Sequence, residues 1–237
     1  MGRFVNPGNE AFQVALNSEI YVDKTGLIEY TNRVMDTKQA LICNSRPRRF
    51  GKSTTADMLT AYYSCGCDSE QMFAKTEIGK AEDFKKYLNK FDVIRLDIQW
   101  FLALSKPINT IVDKIEESVI KELREYYPNE LQNMNSSLAE VLSSINEFTG
   151  KKFIIIIDEY DTPIQQGHLY HYYNEVVGFM RNLFSSALKD NENLEFGILT
   201  GILRIAKESL FSGLNNLVVN TILDDKYSEY FRSEEHT

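Results

Sequence analysis

Ten consecutive residues, Ser45-Arg-Pro-Arg-Arg-Phe-Gly-Lys-Ser-Thr54, combine cations, a glycine and adjacent hydroxyls in an order suited to holding a phosphate chain. Gly51-Lys52-Ser53 supplies the ending of the pattern G-x-x-x-x-G-K-[ST], known as Walker A. A glycine there lets the backbone pass close to a ligand. The following lysine reaches the β- and γ-phosphates, and the serine hydroxyl suits Mg²⁺. Arg46 stands where the first glycine of the pattern falls, which bears on the geometry of the turn. Read alone, the segment also fits a Gly-Lys-Ser-Thr helix start with no ligand. The expected cradle is Arg46, Pro47, Arg48, Arg49, Phe50, Gly51, Lys52, Ser53 and Thr54.

A second stretch, Phe153-Ile-Ile-Ile-Ile-Asp158-Glu159, is an apolar run ending in two carboxylates, the form of a Walker B motif. A buried strand of this kind carries its last residue to the carboxyl edge of a sheet, where open α/β folds bind ligands. Asp158 is then expected to hold Mg²⁺, directly or through water. Glu159 is expected to orient and deprotonate an attacking water. The plain alternative for an Asp-Glu pair after a strand is a solvated turn. Both stretches together, in this order and each at a strand end, point to a nucleoside triphosphate with Mg²⁺; they do not by themselves choose adenine over guanine, and ATP is the expected ligand.

Lesser candidates carry less. Cys43, Cys65 and Cys67 are an odd number without two further zinc ligands, and read as reduced structural thiols. His168 and His171 are three apart and read as surface histidines rather than a metal pair. Tyr170, Tyr172, Tyr173 and Phe179 read as packing rather than as a base-stacking platform. Asp161, ahead of Pro163, reads as a helix cap. Arg48 and Arg49 fit phosphate contacts, arginines acting on a neighbouring subunit, or solvated side chains.

The elements that must position these groups alternate. Gln39–Asn44 reads as a strand and Ser53 to about Ser64 as the helix after it. Strands are further expected at Val93–Ile98, Phe153–Ile157, Leu194–Thr200 and Leu217–Leu223. Helices are expected near Lys24–Asn32 with Asp23 as cap, Ala81–Asn89, Ile108–Tyr127, Ser137–Phe148 and His171–Lys189. Alternation of this sort requires crossover connections, hence a mainly parallel sheet covered on both faces: an α/β, P-loop NTPase three-layer sandwich. Residues 1–38 read as a lead-in, 39–223 as the nucleotide-binding domain and 224–237 as a tail that opens onto a missing second domain.

The motifs also carry a resemblance. Tyr21-Val-Asp-Lys-Thr25, Ser45–Thr54, Ile157-Asp-Glu-Tyr-Asp-Thr-Pro-Ile164, Leu199-Thr-Gly-Ile-Leu-Arg204 and Leu210-Phe-Ser-Gly-Leu-Asn-Asn216 resemble the bacterial AAA-ATPase-like proteins over about residues 4–231. In that family an arginine-rich loop start is normal. The resemblance implies an ATPase with its catalytic glutamate beside the Mg²⁺ aspartate. It also implies a polar sensor at Thr200 and a residue reporting phosphate state at Arg204. The plain alternatives are a strand end for Thr200 and an acidic neighbour for Arg204. Family members commonly continue into a restriction-endonuclease-like nuclease domain, and no nuclease motif occurs in these 237 residues.

Composition narrows the field. At 43% hydrophobic and 25% charged the chain is of ordinary globular kind, and its longest apolar run, Phe153–Ile157, is far short of the ~20 residues of a membrane helix. No signal-peptide stretch precedes it, so a cytoplasmic location is expected. A net charge of −8 speaks against a broad nucleic-acid footprint. A protein partner or self-association stays open. The expected activity is Mg²⁺-dependent ATP hydrolysis, with a nucleotide-gated interaction module as the alternative.

Overall fold

A computed structural model of the chain describes residues 2–105, 110–131, 136–169, 173–174, 177–178, 193–202 and 217–220. In chain order the elements are α1 (Glu10–Leu16), α2 (Gly26–Val34), β1 (Leu41–Ser45), α3 (Lys52–Tyr63), α4 (Glu70–Phe73), a 3-10 turn (Ile78–Lys80), α5 (Phe84–Tyr87), β2 (Asp92–Asp97), α6 (Ile98–Leu104), α7 (Ile111–Tyr126), α8 (Leu138–Thr149), β3 (Phe153–Asp158), α9 (Thr162–Leu169), β4 (Leu194–Gly201) and β5 (Leu217–Asn220).

The five strands form one sheet in the order β2-β3-β4-β1-β5, and every pairing is parallel. Parallel strands buried on both faces need unbroken apolar runs. Phe153–Ile157 meets that need: Phe153, Ile155 and Ile157 point to one core, Ile154 and Ile156 to the other. The first core packs the sheet against α6, α7 and α8. The second packs it against α2 and α3, together with Phe12 of α1. The molecule is an α/β three-layer sandwich of the P-loop NTPase kind.

Local chemistry explains the helices. In α7, Ile111, Ile115, Val119 and Leu123 recur every four residues and are buried on one face. Ser137 opens α8 with a capping box: its hydroxyl accepts from the Glu140 N–H, and the Glu140 carboxylate accepts from the Ser137 N–H at 2.9 Å. Gly150 closes α8 at φ 68°, a left-handed conformation that glycine adopts without a steric penalty.

Three local readings differ from expectation. α2 begins two residues later than Lys24, and Asp23 bonds the Thr25 N–H and hydroxyl in the preceding turn instead of capping the helix. α1 was not legible in the lead-in. Nor was α6, because the apolar run Val93–Ile98 continues through the strand–helix junction, where Asp97 caps the helix by accepting from the Trp100 N–H at 3.1 Å. The helix expected over 171–189 and the strand residues 221–223 lie largely outside the described residues.

Candidate phosphate-binding site

The site is built at the carboxyl edge of the sheet, where β1 and β3 end. β1 hands over to the loop at Ser45 and Arg46; the Arg46 N–H donates to the Gly201 carbonyl at 2.9 Å, so the loop's start is stitched to the end of β4. Arg46 is buried, whereas Pro47, Arg48 and Arg49 are exposed. Two residues take left-handed backbone, Arg49 at φ 68° and Gly51 at φ 69°. The glycine adopts this without penalty, while the arginine costs about 1–2 kcal/mol.

Helix α3 starts directly after Gly51. Its first backbone bond runs from the Thr55 N–H to the Gly51 carbonyl at 2.9 Å, reinforced by the Thr55 hydroxyl on the same oxygen at 2.9 Å. The N–H groups of Lys52, Ser53 and Thr54 therefore precede the helical ladder. Such groups, with the positive end of the helix dipole, make an anion cradle. The Lys52 ammonium lies across the loop and donates to the Pro47 carbonyl at 2.8 Å. Ser53 is exposed and Thr54 half-buried, both in the first turn.

The acidic groups arrive from β3. Asp158 ends the strand, 3% exposed, and its Oδ1 accepts from the Glu159 N–H at 3.0 Å and from the Thr200 hydroxyl. Glu159 turns out of the strand at φ 54°, a strained conformation for a side chain with a Cβ, and accepts from the Thr162 hydroxyl at 3.2 Å. Asp161 is fully buried; its Oδ2 accepts from the Ile202 N–H at 3.0 Å and from the Gln165 amide at 2.8 Å. Its backbone carbonyl takes the first bonds of α9, from the Ile164 and Gln165 N–H groups. Asp161 thus meets α9 through its backbone carbonyl; its side chain, expected as the cap, instead ties α9 to the end of β4. Gly201 tolerates nothing larger there, since a Cβ would sit 2.5 Å from Asp161 Oδ1 and 2.6 Å from the Tyr160 ring.

Electrostatics join the two halves. Burial pulls the Lys52 ammonium below its ordinary pKa, while the fields of Glu159, Asp158 and Asp161 pull it back up. Reciprocally, burial and the neighbouring Asp158 raise the Glu159 carboxyl, against the Thr162 hydrogen bond and the Lys52 charge. One cation and three carboxylates share a single local field.

Strand alternation aligns the polar groups. Asp97 pairs in register with Asp158, and Thr200 pairs with Asn44. With the Thr200–Asp158 bond these form one row across β2, β3, β4 and β1, on the sheet face that carries α3. Sequence reading did not pick out Asn44. It is fully buried, and among the described residues neither atom of its side-chain amide has a hydrogen-bond partner. An asparagine in an apolar strand was the available signal.

Other residues are settled elsewhere. Arg204, Tyr170, His171, Tyr172 and Phe179 lie outside the described residues, and the side chain of His168 is likewise undescribed. Burial pushes the Cys43 thiol up to about 12 and the Cys65 thiol up to about 11, which keeps both protonated. An Asn-Lys-x-Asp pattern of the guanine-reading kind occurs at Asn89–Asp92. It lies at the opposite, amino edge of the sheet. There the Asn89 amide donates to the carbonyls of Ala61 and Ser64, both at 2.9 Å, and Asp92 accepts from Asn6 at 2.7 Å, Tyr127 at 2.7 Å and Lys151. Both side chains hold the fold together and face away from the Gly-Lys-Ser loop.

The family model for the predicted AAA-ATPases (AAA-ATPase-like) matches residues 8–211. The chain belongs to the AAA-ATPase-like family. An uncharacterized protein in the vnfD 5′ region of Azotobacter chroococcum mcd 1 is 28% identical over 214 residues, covering 88% of this chain and 38% of that protein. The AAA-ATPase-like chain therefore spans well under half the length of this relative. The structure of C. elegans PCH-2 aligns with a TM-score of 0.36 at 13% identity, over 89% of this chain and 46% of that one. Among the described residues no helix is long and apolar enough to cross a membrane.

Proposed function

We propose that this AAA-ATPase-like chain binds ATP with Mg²⁺ at the carboxyl edge of its sheet and hydrolyses it. The observation that carries the reading is that Asp158, held by Thr200 and the Glu159 N–H at the carboxyl ends of β3 and β4, shares the sheet edge with the end of β1, where the left-handed Gly51 opens α3 at Lys52. A cation cradle for phosphates and a carboxylate pair for metal and water are what phosphate-anhydride cleavage requires in one place.

The oxygen donors fit the metal. Mg²⁺ is bound through one or two protein oxygens, with phosphates and waters completing its shell. The Asp158 carboxylate and the Ser53 hydroxyl are hard donors of that kind and would hold it. When bound there, the metal would offset the negative charge that develops on the phosphates during cleavage.

The chain's own groups supply the rest. Lys52 exchanges its contact with the Pro47 carbonyl for phosphate oxygens, a stronger charge-assisted bond. The N–H groups of the first turn of α3 hold the phosphate chain in line. Glu159, whose carboxyl burial and the neighbouring Asp158 raise above its ordinary value, accepts a proton from the attacking water. Thr200, bonded to Asp158, stands beside the reacting group as a polar sensor, and Arg204 is proposed to report the phosphate state. The test is phosphate release measured beside equilibrium ATP binding. Glu159→Gln should abolish release and leave binding intact, whereas binding without release in the wild-type chain would overturn the hydrolytic reading in favour of a nucleotide-gated module.

A further inference from the structure

The stretch Tyr21-Val-Asp-Lys-Thr25 is a motif that the proposed chemistry leaves without a task. Its outer residues form a clasp. Asp23 accepts from the Thr25 N–H at 2.9 Å and hydroxyl at 2.7 Å, and from the Glu77 N–H at 2.8 Å. The Thr25 hydroxyl oxygen accepts from the Ile78 N–H at 3.1 Å. Between them Lys24, only 3% exposed, donates to the Phe50 carbonyl at 3.4 Å. A buried ammonium is costly to keep, and this one is set against the residue that immediately precedes Gly51.

Peptide geometry converts that contact into an orientation. The Phe50–Gly51 peptide is planar and trans, so its carbonyl oxygen and the Gly51 N–H point to opposite sides. A cation on the oxygen side directs the N–H to the other side. The Phe50 carbonyl is also the acceptor that one more helical bond, from the Thr54 N–H, would use. The ladder instead begins with Thr55 on Gly51, which leaves the earlier N–H groups outside it.

We infer that Lys24 is a positioning residue for the loop: it fixes the Phe50–Gly51 peptide so that the Gly51 N–H faces bound phosphate. The clasp of Asp23 and Thr25 on residues 77–78 keeps the Lys24 backbone in place. This rests on the phosphate-binding reading above.

The experiment uses the full chain, ¹⁵N-labelled, and follows the Gly51 amide resonance before and during titration with Mg²⁺ and either ATP or tripolyphosphate. Lys24→Met keeps the length of the side chain and removes its charge. It should move the Gly51 resonance in the ligand-free protein and weaken both ligands about tenfold, the scale of one charge-assisted hydrogen bond. Lys24→Arg should restore affinity to within about threefold of wild type, and Thr25→Val should lower the melting temperature more than the affinity. A folded Lys24→Met protein that binds like wild type, with its Gly51 resonance unmoved, overturns the inference alone. Should Lys24→Met fail to fold, Lys24→Gln replaces it, and wild-type affinity there overturns the inference as well. A wild-type chain that binds neither ligand removes the phosphate-binding reading itself, and this inference with it.

Discussion

The Thr200 hydroxyl donates to Oδ1 of Asp158, joining the ends of two neighbouring parallel strands at one point on the sheet edge. Both residues are buried, so the bond forms in surroundings where a hydrogen bond to a carboxylate contributes about 1.5–3 kcal/mol. Thr200→Val keeps the shape and removes the donor. Urea denaturation should show a loss of stability of about that size, with ATP turnover reduced in step. Unchanged stability would mean that the bond contributes nothing net.

Lys52→Met removes the cation that offsets three carboxylates. ATP affinity by calorimetry should fall at least ~100-fold, consistent with the loss of several charge-assisted contacts. Affinity within a factor of three of wild type would be incompatible with a phosphate-holding role for the lysine.

Glu159→Gln should cut turnover by about 10²–10⁴-fold, the usual contribution of a positioned general base. The same substitution has a consequence for stability. The Glu159 carboxyl is raised in the fold, so its favourable protonated state is fully present below the ordinary carboxylate value, and stability falls as pH rises through the raised value. At pH 7 the glutamine variant should therefore melt higher than wild type, and the gap should close as pH approaches 4. Melting curves across that range check the sign.

Asp92 behaves in the opposite sense. Burial alone would raise its carboxyl, but hydrogen bonds from Asn6 and Tyr127 and the Lys151 charge outweigh it and hold the group below its ordinary value. Its contribution is present above the unfolded value and is lost as pH falls through the depressed one. Asp92→Asn should destabilise the protein by about 3 kcal/mol, the scale for breaking a buried charged network, without changing ATP affinity. A selective loss of affinity would place Asp92 in the ligand site.

Much of this was readable in the residues. The short run of β-branched residues Ile154–Ile157, bounded by Lys-Lys and Asp-Glu, reads as a buried strand, and the loop from Ser45 to Thr54 as a join between strand and helix, so two strand ends and one helix start were legible in the pattern. Strand order was not legible. Nothing in Leu194–Thr200 says that it lies between β1 and β3, yet that insertion brings Thr200 onto Asp158. Short-range periodicity also hides contacts distant in sequence, such as Asn6 with Asp92 across 86 residues and Lys24 with Phe50 across 26. Asn89-Lys-Phe-Asp92 shows the converse: letters that spell a base-reading pattern, placed where Asn89 bonds backbone carbonyls and Asp92 bonds the side chains of Asn6 and Tyr127.

The rank of Asp97, Asp158, Thr200 and Asn44 has a consequence for how the chain finds its fold. Each of these four strands delivers one hydrophilic group to the same level, and in β1, β3 and β4 it follows a stretch that is apolar on both sides. Sliding any strand by a single residue would drive that group into the interior and set an aliphatic side chain among the carboxylates. A misaligned sheet is thus penalised twice, and the alternation that builds the reactive edge also proofreads the assembly of the strands beneath it.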